Sequence, residues 1–159
     1  DFREPFVEDG IDGVYNIKSF QGLPLDSMKR AARSHYAALK PGRQAIFSTM
    51  NVQGTLRDAL EETLLAAGFY IPYHQADRWF RQAVARVGAP HAFILGRPRL
   101  GQRRWARGWL GHLAWKLDNW RVSRHQKVYE ARREAEAPAV EAILADGQTK
   151  VARVIYNSG

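Results

Sequence analysis

Arginine, lysine and tryptophan recur together between Arg97 and Arg133 in a pattern that suits binding to a polyanion. That stretch holds eleven Lys/Arg against two acids, whereas the rest of the 159-residue chain holds thirteen basic and fourteen acidic residues, so the net charge of +8 is concentrated in one segment. Within it Trp105, Trp109, Leu113, Leu117 and Trp120 fall at near-helical spacing, surrounded by Arg103, Arg104, Arg107, Lys116, Arg121, Arg124 and Lys127. Three roles fit. Arginine interleaved with aromatics can hold RNA or DNA through phosphate contacts and base stacking. A basic helix bearing tryptophan suits an anionic membrane surface. The Trp/Leu stripe can also pack against the rest of the protein or a partner subunit, leaving the cations in solvent. Gly101, Gly108 and Gly111 weaken an isolated helix and favour one held by tertiary packing.

A second set of donors and acceptors follows the apolar run Ala45-Ile46-Phe47, in the polar stretch Ser48-Thr49-Met50-Asn51-Val52-Gln53-Gly54. Ordinary turn chemistry explains such residues as well as ligand binding does. Several other chemistries are disfavoured. The five histidines, His35, His74, His91, His112 and His125, contain no H-x-x-x-H pair, so no metal site is expected and each should be exposed or locally satisfied. Asp58 and Glu61-Glu62 are expected on the solvated face of a helix. The absence of cysteine removes thiol nucleophiles, disulfides and thiolate metal sites, and the G-x-S-x-G nucleophile elbow is missing. No apolar run approaches the roughly 18 residues of a membrane span, and the acidic Asp1-Phe2-Arg3-Glu4 is unlike a secretory signal, so a cytoplasmic location is expected. A start without methionine and the bare end Tyr156-Asn157-Ser158-Gly159 are expected of a piece of a longer protein.

The elements that must position these residues alternate between strand and helix. Asp12–Ile17 reads as a buried strand. Asp26 is expected to cap a helix with Met28, Ala31, Ala32, Tyr36 and Leu39 on its apolar face, closed by Pro41-Gly42. Ala45-Ile46-Phe47 is a second strand, and Thr55 should cap a helix with the stripe Leu56, Leu60, Leu64 and Leu65 that Gly68 stops. Phe69-Tyr70-Ile71 is a third strand, terminated or placed at an edge by Pro72. Residues 76–87 form an amphipathic helix carrying Trp79, Phe80, Ala83, Val84 and Val87. After Gly88-Ala89-Pro90, His91–Gly96 is a fourth strand. Residues 100–146 read as helix in two or three pieces with a break or first-turn position at Pro138, and Thr149–Tyr156 as a final strand.

This order resembles the C-terminal half of class I S-adenosylmethionine-dependent methyltransferases over residues 7–99. Asp12-Gly13-Val14-Tyr15-Asn16 matches the fourth strand of that fold, Ala38-Leu39-Lys40-Pro41-Gly42-Arg43 the approach to the fifth, Leu65-Ala66-Ala67-Gly68-Phe69 the approach to the sixth, and Phe93-Ile94-Leu95-Gly96-Arg97 the seventh. The resemblance implies an α/β fold: a partial Rossmann-like sheet of about four strands in a domain 1–99, followed by a basic helical extension with a possible final strand, 100–159. It implies S-adenosylmethionine as cofactor. It also implies a ligand crevice at the C-terminal ends of the strands, where Asn16, Lys18, Ser19 and Phe20 follow the first strand and Thr49, Asn51 and Gln53 the second. There Asn16 and Asn51 would orient a nucleophile, the transfer itself needing chiefly alignment and a dry site.

The family's glycine-rich turn after its first strand has no counterpart upstream of Asp12. The family sets strand four beside strand one, so the Val14–Ile17 strand is expected to have an apolar edge that something must cover. Upstream residues, another chain or Val151–Tyr156 could cover it; a terminal hairpin or the start of a second domain is the other expectation for that last strand. The resulting expectation is a methyltransferase, or part of one, with a donor site completed from outside this chain. The alternative is a non-catalytic binding or assembly module that uses residues 97–133 on nucleic acid, a membrane surface or partner subunits.

Overall fold

The computed structural model describes residues 10–17, 19–20, 22–50, 54–86 and 109–157. They form a mixed α/β structure in the order β1 (Ile11–Ile17), α1 (Leu25–Ala38), β2 (Leu39–Met50), α2 (Gly54–Ala66), α3 (His74–Arg86), α4 (Trp109–Ala145) and β3 (Val151–Asn157). They divide into two compact units, one within Asp1–Pro72 and Ala139–Gly159, the other Tyr73–Pro138. The boundary expected at residue 99 and the strand expected at 91–96 lie outside the described residues.

The first unit is built on a three-stranded, all-parallel sheet with β2 in the centre. Successive side chains of a strand point to opposite faces, so the register sorts the sheet into two surfaces. One row runs Val14, Ala45, Ala152 and the next Asn16, Phe47, Val154. This face meets Met28, Ala31 and Ala32 of α1 and Leu60 and Leu64 of α2, together with Phe20, Leu39, Phe69 and Ile71, in one apolar core. The other face carries Tyr15, Ile46 and Arg153, then Ile17, Ser48 and Ile155. Tyr15 is 63% exposed, Ile17 54% and Ile155 44%.

Several expectations about boundaries are corrected. Helix α1 ends at Ala38, and Leu39 already belongs to β2. Pro41-Gly42 therefore does not stop the helix. It sits in a bulge, because Ile11 pairs with Leu39 whereas Gly13, two residues later, pairs with Gln44. Gly42 has φ +69°, and a Cβ there would collide with the Gly147 carbonyl oxygen. Pro24, not Asp26, is the N-cap of α1, and Asp26 acts from the first turn, where a carboxylate complements the helix dipole. Helix α2 begins at Gly54, which puts Thr55 inside its first turn.

Gly68 does close α2 as expected. With φ +105°, it lets Phe69 N–H reach the Leu64 carbonyl at 3.1 Å and Gly68 N–H the Leu65 carbonyl at 3.0 Å, a Schellman motif. The strand expected at 69–71 shrinks to a single parallel bridge between Tyr70 and Val151. Strand β3 joins the far side of β2 from β1, so neither the expected hairpin nor the expected cover for β1 is formed by it. Its start is set by Asp146, whose Oδ1 accepts from the Gln148 and Thr149 amides at 2.7 and 2.9 Å and whose Oδ2 accepts from Thr149 Oγ1 at 2.7 Å. Those bonds, the Thr149 side chain's first, hold the Asp146 carboxyl below its usual range.

In the second unit α3 packs on the 109–138 part of α4. Phe80 stacks on Tyr129 at 4.7 Å, Trp79 meets His125 edge-on at 6.0 Å, and Tyr129 Oη donates to Asp77 Oδ1 at 2.7 Å. Helix α4 is one continuous element, not two or three. Pro138 removes one backbone donor and crowds the carbonyl four residues back, yet 37 residues of ladder carry the helix across it.

Candidate functional site at the strand ends and the basic helix

The C-terminal end of β1 brings Asn16 against α1. Asn16 is buried at 8% exposure, and its Nδ2 lies 3.3 Å from Nε2 of His35, which is 2% exposed. The other ring nitrogen, Nδ1, is 2.6 Å from the Ala31 carbonyl. A carbonyl only accepts, so Nδ1 carries the proton and Nε2 presents its lone pair to the Asn16 amide. Burial lowers the His35 pKa below 6.5, opposed by the Ala31 hydrogen bond. The imidazole is therefore neutral at pH 7.

Aromatic rings enclose this pair. Phe20 meets His35 at 5.7 Å and Phe47 at 5.3 Å, both edge to face, and Phe47 lies 5.7 Å from His35. These contacts seat the Asn16–His35 pair among buried aromatic rings. Ser19 Oγ donates back to the Ile17 carbonyl at 3.1 Å, which bends the chain away from the strand end. Of the residues expected to flank a ligand, Asn16, Ser19 and Phe20 thus gather at one strand end. Thr49 is not in a turn but in β2, buried at 6%, and Ser48 beside it is buried at 5%. Lys18, Asn51 and Gln53 lie outside the described residues.

The burial of Glu61 escaped the sequence, whereas His35 is locally satisfied, as expected, by the Ala31 carbonyl and is buried as well. His35 lies seven residues from Met28 and four from Ala31, the spacing of the buried helical face, and that spacing was the signal available. Glu61, expected in solvent, is 3% exposed and accepts from Arg57 Nε at 3.1 Å one helical turn away; Glu62 is exposed as expected.

Among the described residues no three His, Cys, Asp or Glu side chains group as a metal site. In the sequence, no glycine-rich turn follows β1 or β2.

The basic residues from Lys116 onward fall on α4. Lys116, Arg121, Arg124 and Lys127 are all exposed, as are Leu117 at 49% and Trp120 at 57%, while Val122 on the opposite side is buried at 3%. Arg103, Arg104 and Arg107 lie outside the described residues. No described helix is long and apolar enough to cross a membrane. In comparisons with protein-family models, curated proteins and solved structures, nothing matches this chain.

Proposed function

We propose that the sheet unit is the acceptor-side half of an S-adenosylmethionine-dependent methyltransferase whose donor cradle is supplied from outside the described residues. The observation that carries this reading is the outer edge of β1. β1 pairs only with β2 among the described strands, Tyr15 and Ile17 of it stand exposed, and Asn16, one residue before the strand end, is buried among aromatic rings against His35. Parallel sheets are ordinarily covered on both faces, and their edges are protected. The resemblance places the cradle-bearing strand at that edge.

In this reading the donor, when bound, supplies the methyl group, and the chain's own residues align and dehydrate. Asn16 contributes an amide that can turn from His35 toward an acceptor, and Phe20 and Phe47 exclude water. Without its main cradle, binding of the demethylated cofactor S-adenosylhomocysteine is weak, and NMR titration at millimolar ligand tests it. Amide shifts confined to Asn16, Ser19, Phe20 and Thr49 are expected. An unchanged spectrum, or shifts centred elsewhere, overturns the reading.

A further inference from the structure

We propose that the exposed side of α4 between Lys116 and Val128 binds single-stranded nucleic acid, stacking a base on Trp120 and holding flanking phosphates with Lys116, Arg121, Arg124 and Lys127. The helical period puts these groups together. Lys116, Trp120 and Arg124 follow one another at four-residue steps and Lys127 comes three later, so they share one row along the helix. The Arg124 guanidinium lies over the Trp120 ring, 5.1 Å from its centroid, which leaves the second ring face to solvent. The opposite side of the helix is spent on packing, with Val122 buried and His125 and Tyr129 engaged by Trp79 and Phe80 of α3.

Charge selects the partner. None of the four cations takes part in an ion pair among the described residues, and the nearby Glu130 accepts instead from Gln126 at 3.2 Å. A membrane surface fits less well, because an interfacial helix needs an unbroken apolar stripe with its cations at the margins. Here Lys116, Arg124 and Lys127 occupy the same row as Trp120, and Leu117 and Val128 lie to one side. A duplex fits less well too, because its bases are closed to a side chain by their neighbours, whereas unpaired bases are free to stack on an aromatic. The inference does not depend on methyl transfer, and it stands or falls on α4 alone.

The test is fluorescence anisotropy of a labelled oligothymidylate with the full chain across a salt series. Four phosphate contacts on a single strand give a slope of log K against log salt of about −3, and R124Q or K127Q should each reduce its magnitude by about 0.7. W120A should weaken binding on the order of ten- to hundredfold, since stacking is lost from an exposed residue. Circular dichroism confirms that each variant keeps its helix content. A slope near zero, a W120A affinity within about twofold of the parent, duplex bound as tightly as single strand, or capture by phosphatidylserine vesicles without oligothymidylate binding would each overturn the inference.

Discussion

His35 is held neutral by its surroundings, and this makes the fold sensitive to acid. Its folded pKa is depressed below 6.5 by burial, so the unfolded chain takes up the proton first as pH falls. The stability tied to the neutral ring is therefore fully present above pH 6.5 and declines below it, by at most about 1.4 kcal/mol per pH unit for one proton. Protonation would also set an Nε2–H against the Asn16 amide donor, forcing that amide to turn over. Urea unfolding from pH 8 to pH 5 should show this decline in the parent and a shallower one in H35Q. Equal slopes would show that His35 is not the group responsible.

Tyr129 behaves in the opposite sense. Burial first, then the hydrogen bond to Asp77, pushes its phenol up to about 12. Its contribution is present below pH 10 and is lost as pH rises toward 12. Y129F should cost about 1–2 kcal/mol at neutral pH by leaving Asp77 without that donor, measured by chemical denaturation.

At the scale of elements, the two faces of one sheet predict opposite responses. Phe47 is 2% exposed and touches Phe20, His35 and Phe69, so F47A should cost about 3–5 kcal/mol. Ile17, on the outer face with Tyr15, is more than half exposed; I17K should stay within about 0.5 kcal/mol of the parent. Comparable losses for the two would mean that the outer face is covered in solution. The bulge in β2 supplies a third case. Gly42 combines positive φ with a backbone oxygen in the space a Cβ would need. G42A should therefore cost upwards of about 2 kcal/mol, a left-handed penalty plus displacement of the Gly147 turn, again read from the denaturation midpoint. Lys40 and Arg43 also straddle this bulge, pairing with Asp12 at 3.1 and 3.4 Å, but all three are substantially exposed and contribute little.

The whole molecule shows how far local pattern reaches. The presence of strand β1 and helix α3, the apolar stripe of α1 with Leu60 and Leu64 of α2, and the Gly68 stop were legible, because each is a statement about neighbours within a turn or two of chain, whereas the burial expected of β1 and of Leu65 was not, since Tyr15, Ile17 and Leu65 are exposed. The meaning of Pro41-Gly42 was not. The same dipeptide ends a helix or bulges a strand, and the choice rested on pairing with Ile11 and Gly13 and on the approach of Gly147, more than 100 residues away. Asn16 was legible as a polar residue at a strand end, but its partner His35 depended on how α1 crosses the sheet. Composition and spacing determined that the chain folds as α/β and that its positive charge is gathered in one tryptophan-bearing segment, residues 97–133. Only the tertiary structure decided that β3 lies on the far side of β2, that β1 keeps an edge unpaired among the described strands, and that Trp120 faces solvent while Val122 does not. Strand order and helix rotation are set by contacts between distant segments, which hydrophobic period alone leaves degenerate.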